Sequence, residues 1–217
     1  MLEIRIPSGA TPLKNLPLQQ GLMALFARSA AMGVLPTERV TLIDAASLGR
    51  LIDELQHWNL LRSAAVDLAP LLLKGPAELD PKTADRMTAE VAKLVDTLND
   101  SPSPPTEWGA MRETFGDEPL ARLVGVAEAS LRRYAAGSRD TPQRVAERLH
   151  WLAMVVADLT GGYNTFGIRR WFERPRAQLQ GQSPRQALGA DWGVDDEAAK
   201  KARALAAALS GAQPLAA

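Results

Sequence analysis

The sequence predicts a mainly α-helical protein built in two parts. Apolar side chains recur at intervals of three and four through most of its 217 residues, the period of a helix with one buried face. At Asp80-Pro81, Thr141-Pro142 and Ser183-Pro184 a capping residue stands directly before proline, the pairing that opens a helix. SPSPPTEWG, residues 101–109, crowds three prolines together and reads as an extended linker between the parts.

Residues 1–100 form the first part, a helical region in which LEIRI and RVTLID are short and β-branched enough to make strands. LQQGLMALFARSAAMG has helical spacing and ends on Gly33, a C-cap. Leu48, Leu51, Ile52 and Leu55 make a one-sided stripe after Ser47. Asp80-Pro81 starts a further helix, where Met87, Val91, Leu94 and Leu98 recur at intervals of 4, 3 and 4. Such a seam suits a core or a dimer contact, and a homo-oligomer is expected. No chemistry is legible in this half.

The second part is expected to hold one helical domain over 110–160, a docking module over 161–205 and a flexible tail over 206–217. Thr141-Pro142 and Ser183-Pro184 repeat the cap-then-proline sign. After Pro142, Val145, Leu149, Leu152, Val156 and Leu159 share a face that Trp151 and Val155 widen. Gly161-Gly162 ends that helix. The final stretch opens acidic at Val194–Glu197, then turns into an Ala-Leu helix.

Charge narrows the function. Lys+Arg and Asp+Glu both total 25, which disfavours a protein that coats nucleic acid without specificity. Residues 1–105 carry 12 acidic and 10 basic side chains and residues 106–217 carry 13 and 15, so only the second half is mildly basic. Cysteine is absent, which removes disulfides, thiolate nucleophiles and Cys-ligated zinc. The N-terminus lacks the basic start and apolar core of a signal peptide, and no run is apolar enough to span a bilayer, so a cytoplasmic location is expected.

EPLARLVGVAEASLRRYAAG, residues 118–137, fits a helix-turn-helix. Ala121 is small where the helices would cross, and Gly125 can take positive φ in the turn. Leu120, Val124, Val126, Leu131 and Tyr134 are apolar at the inward positions. Glu128, Ala129, Ser130, Arg132 and Arg133 are left outward on the second helix, and paired arginines suit guanine edges or phosphates. Five arginines at 132, 133, 139, 144 and 148 face Glu128, Asp140 and Glu147. Any two short packed helices can show the same spacing, so DNA contact and a purely structural motif both stay open.

WFERPRAQLQGQSPRQAL, residues 171–188, is too apolar for a plain loop and too broken for a long helix. Pro175 and Pro184 fix the chain direction and Gly181 permits a turn, which makes a stiff unit that loses little entropy on binding. Trp and Arg are the residues most enriched at binding hot spots. Arginines at 169, 170, 174, 176 and 185 face one acid, Glu173. Trp171 and Phe172 either meet a partner or cap the bundle core beneath a solvated arginine rim, and one ring can do each.

Residues 113–205 resemble the Xre/MbcA/ParS antitoxin family, through Trp171-Phe172, Arg174-Pro175, Leu179, Gly181, Ser183-Pro184 and Leu188. The resemblance implies an Xre-like helix-turn-helix bundle followed by a toxin-binding module. It also implies a RES-domain toxin that degrades NAD as partner, neutralised by covering the mouth of its active site, and repression of the shared operon. The segment beyond Trp192 would then approach that active site. On this basis the candidate DNA contacts are Ser130, Arg132, Arg133 and Arg139. The candidate partner contacts are Arg170, Trp171, Phe172, Arg174, Pro175, Arg176, Leu179, Gly181 and Pro184. Family members tend to be shorter, and residues 1–105 match nothing in the pattern.

An enzyme is not expected. His57 and His150 each sit beside a Trp in a helical run, and no Ser-His-Asp order, phosphate loop or metal-spaced cluster is present. No cofactor or metal is expected. The expected function is an antitoxin-like, DNA-binding regulator. The alternative is a toxin-free adaptor or oligomeric scaffold whose helix-turn-helix is structural.

Overall fold

The computed structural model describes residues 15–35, 43–61 and 66–209. The protein is mainly helical, and no strand occurs among the described residues. The expected strand at 2–6 lies outside the described residues, as does most of that at 39–44. The described chain divides into two compact units, the first running to Ser101 and the second starting at Pro102, with Ala31–Gly33 grouped with the second.

The first unit contains α1 (Leu16–Ala31), α2 (Ala45–His57), α3 (Ala69–Lys74), a 3-10 turn (Pro76–Glu78) and α4 (Pro81–Asn99). Asp44 opens α2 with a capping box: it accepts from the Ser47 amide at 2.8 Å while its own amide donates to Ser47 Oγ at 2.9 Å. Asp80 accepts from the Thr83 amide at 3.0 Å, and Pro81 takes the first helical position, where no amide hydrogen is needed. Met87, Val91, Leu94 and Leu98 are fully buried, so the α4 seam is core and not a dimer contact. A Cβ at Gly21 would lie 3.1 Å from Val91 Cγ1, and the bare glycine lets α1 approach α4 closely.

The second unit contains α5 (Pro104–Phe115), α6 (Asp117–Val124), α7 (Glu128–Ala135), α8 (Gln143–Thr160), α9 (Thr165–Glu173), a 3-10 turn (Ala177–Leu179), α10 (Pro184–Leu188) and α11 (Glu197–Leu209). Three expectations are corrected here. Residues 104–109, read as linker, begin α5, because Pro104 and Pro105 fall in the first turn and cost no helical hydrogen bond. Thr141 does not cap α8; its hydroxyl accepts from Trp108 Nε1 at 3.0 Å, and Pro142 is the cap residue. Residues 206–209, assigned to a flexible tail, complete α11, since Ala199, Ala202 and Ala206 form a small-residue face that is fully buried.

α8 packs against α5, α6, α9 and α11 and is the axis of the unit. Every residue from Arg148 to Leu159 is buried. Three of these are polar or charged, and each reaches a different neighbour. Arg148 Nε donates to the Trp192 carbonyl at 2.7 Å and Nη1 to the Val124 carbonyl at 3.0 Å. His150 Nδ1 lies 2.6 Å from Glu107 Oε1 on α5. Asp158 accepts from Arg203 Nε on α11 at 2.9 Å. A buried charge left unpaired is strongly destabilising, so these contacts fix which elements sit beside α8.

Candidate partner and nucleic-acid interfaces

Gly125 joins α6 to α7 in the left-handed conformation, with φ at 74°. A Cβ there would lie 2.3 Å from Arg148 Nη1 and 3.0 Å from the Ala190 carbonyl. Glycine is therefore required twice, for its φ and for the arginine that fills the space beside it. Ala121, Leu120, Val124, Leu131 and Tyr134 are buried and Val126 is half-buried, so the turn closes on the apolar set read from the sequence.

On α7, Arg132 and Arg133 are exposed and Ser130 is half-buried. Arg132 is not a free cation. Its Nε lies 3.2 Å from Asp117 Oδ2 and its Nη2 2.9 Å from Glu128 Oε2. Asp117 is also gripped by Arg112, at 2.7 Å from Nε to Oδ1. The hydrogen bond from Arg112, then that from Arg132, holds the Asp117 carboxyl below its ordinary value. Arg139 is exposed and lies over the Tyr134 ring, 5.6 Å from its centroid. Arg144 pairs with Asp191 at 2.8 Å, and Arg148 is buried. Of five arginines in this region, Arg133 and Arg139 are the two with no carboxylate partner among the described residues. Two phosphate contacts would give a salt slope of only about −2, where strong DNA binders neutralise roughly six to ten phosphates.

A second candidate surface is formed by α9, α10 and the turn between them. Asn164 caps α9 by accepting from the Gly167 amide at 2.8 Å, and Ser183 caps α10 in a capping box with Gln186. Between the helices the Arg176 amide donates to Gln182 O at 3.0 Å and the Gly181 amide to Arg176 O at 2.9 Å. Both Gln180 and Gly181 adopt positive φ there, 57° and 79°. The turn is clamped by its own backbone, as expected of a stiff unit.

The aromatic pair departs from the docking expectation. Trp171 is 1% and Phe172 2% exposed, with Phe172 edge-on to Phe115 at 5.3 Å. Leu179 and Pro184 are buried too. These four residues build the module and do not present a contact surface; the period-3.6 face of α9 drives them inward with Ile168. Arg170, Arg174, Pro175 and Gly181 are exposed. Arg169 donates to the Thr114 and Glu113 carbonyls at the end of α5, and Arg185 Nε pairs with Glu173 at 2.8 Å. Arg170 and Arg174 have no such partner among the described residues. Arg176 is half-buried with its guanidinium 4.8 Å from the centre of the Trp171 ring, and burial pulls its pKa below the ordinary arginine value.

Three features escaped the sequence reading. Phe166 on α9 is 68% exposed, one turn before Arg170 on the same face. Trp192 is 2% exposed, bonded through Nε1 to the Leu123 carbonyl at 2.8 Å and edge-on to Trp151 at 4.9 Å, with Arg148 5.3 Å above its ring. The signal for it was an arginine beside the core stripe of α8. The Glu107–His150 pair is buried at both ends, so it acts as an internal brace and not as a solvent-facing acid–base centre. Among the described residues no group of His, Asp and Glu is placed to hold a metal ion, and no helix is long and apolar enough to cross a membrane. No protein-family model, curated protein or solved structure matches the chain.

Proposed function

We propose that this protein is an antitoxin-like regulator whose α9–α10 module docks on a RES-type, NAD-degrading toxin. The observation that carries the reading is a backbone-clamped module whose outer arginines, Arg170 and Arg174, have no carboxylate partner among the described residues, on a stretch that resembles the toxin-binding module of Xre/MbcA/ParS antitoxins. A preformed surface of this kind loses little backbone entropy on binding. The first check is a RES-domain reading frame beside this one in the genome. Co-expression then tests the function: the intact chain should co-purify with that RES protein and restore cellular NAD and growth. Absence of both co-purification and protection sinks the proposal.

Operator binding through α7 is the weaker part of the proposal, because Arg132 is committed to Asp117 and Glu128. That same pairing favours the adaptor reading, in which α6–α7 is structural and the module recruits a different protein. A gel shift on the upstream region separates them, with Arg133→Ala as the control variant. No shift by the wild-type chain leaves docking as the sole role.

A further inference from the structure

The side chain of Arg176 makes no hydrogen bond among the described residues, and its Nε is buried without an acceptor. Beside it the Trp171 Nε1 donor is equally buried and unanswered. Buried donors are nearly always satisfied, and a half-buried guanidinium without a counter-charge is costlier still. Arg174 is near enough for its charge to lower the Arg176 pKa further, so the two cations raise one another's need for an anion. The neighbouring surface is aromatic. Tyr163 lies against Gly167, where a Cβ would come within 2.9 Å of its ring, and is near enough to Arg176 that its phenolate form would raise the arginine pKa. Phe166 stands exposed on the same face of α9 as Arg170. Elsewhere in the unit, Arg112, Arg132, Arg144, Arg185 and Arg203 each have a carboxylate.

We infer that the face made by Tyr163, Phe166, Arg170, Arg174 and Arg176 receives an acidic polypeptide segment, with a carboxylate seated on Arg176 and an apolar side chain against Phe166. This rests on the docking reading above and names the chemistry of the partner's contact. Arg176 is the specific receiver, because its planar fork is already held 4.8 Å from the centre of the Trp171 ring and can donate two parallel N–H bonds to one carboxylate. Arg170 and Arg174 supply field and encounter rate. Phosphate alone would not use the exposed Phe166 and the half-buried Tyr163, which favours protein over nucleic acid.

The test is fluorescence anisotropy with the intact chain and a labelled synthetic peptide of Asp, Glu and Leu. Controls are the same peptide with Asn and Gln in place of the acids, and a random DNA duplex. The acidic peptide should bind and the amide peptide should not. Arg176→Lys should weaken binding about tenfold or more, because it keeps the charge and loses the fork, whereas Arg170→Lys should change it less than about twofold. Arg174→Glu and Phe166→Ala, both at exposed positions, should weaken it with helix content unchanged by circular dichroism. Equal binding of the amide peptide, no binding of the acidic one, indifference to Arg176→Lys and Arg174→Glu, or tighter binding of DNA through these same residues each overturns the inference. Failure of a RES protein to co-purify while peptide binding survives removes the toxin reading alone. Co-purification that ignores Arg174→Glu and Arg176→Lys removes this inference alone.

Discussion

Five arginines stand between residues 128 and 148, and five more between 169 and 185. In the first set Arg132 is shared by two carboxylates, Arg144 is paired with Asp191 and Arg148 is buried on two carbonyls. In the second set Arg169 and Arg185 are occupied, while Arg170, Arg174 and Arg176 have no carboxylate among the described residues. The two sets look alike as counts and differ as surfaces. A cation contributes to recognition only to the extent that its own fold has not already neutralised it, and the outer face of α9–α10 keeps more of its charge than α7 does.

The contrast can be broken or sharpened by substitution. Trp192→Ala should have the largest effect, about 3–5 kcal/mol of stability by urea unfolding, because it empties the space between Trp151 and Arg148 and breaks the bond to Leu123. A loss under about 1 kcal/mol would show that the segment around Trp192 is not part of the cooperative core. Gly125→Ala should cost about 1–3 kcal/mol in thermal unfolding, from positive φ together with the approach to Arg148 Nη1. If Gly125→Ala matches the wild type, the turn does not depend on that arginine.

Charge substitutions should do less to stability and more to binding. Arg170→Glu with Arg174→Glu should stay within about 0.5 kcal/mol of the wild type, since both side chains are exposed and neither has a carboxylate partner among the described residues. A larger loss would mean that these arginines are structural and would erase the contrast. The smallest effect is expected of Asp117→Asn, which releases Arg132. Its signature is a DNA-binding salt slope steeper by about one unit, with affinity raised. An unchanged slope would show that Arg132 does not reach phosphate even when freed. Asp117 also has a defined pH sign. Its folded pKa lies below the ordinary 3.8, so its ionised form adds stability above that value and the gain disappears as pH falls through the lower folded one. Wild type and Asp117→Asn should therefore converge in stability only under strongly acid conditions.

Several features were legible before any coordinates. The α4 seam, the α8 face, the Asp80 and Ser183 caps and the Gly125 turn all follow from local rules: apolar spacing, side-chain oxygens reaching the third amide, and a glycine where φ is positive. The misreadings came where a residue had two lawful uses. Pro104 and Pro105 serve a helix start as well as a linker, and Thr141 serves Trp108 instead of capping α8. Trp171 and Phe172 sit beside arginines in the chain but beside Phe115 and Ile168 in space. Phe166 was within reach, since it lies opposite Ile168 on the α9 wheel and could have been placed outward.

Periodicity, capping chemistry and glycine's conformational freedom were sufficient for the helical class and the turn at Gly125, because those depend on neighbours a few residues away. Pairing was decided in three dimensions. Arg132 meets Asp117 across 15 residues, Arg148 meets Trp192 across 44, and Glu107 meets His150 across 43. Charge is additive along a chain, but its neutralisation depends on distance and burial, so the fold alone determined which arginines were left without a carboxylate among the described residues.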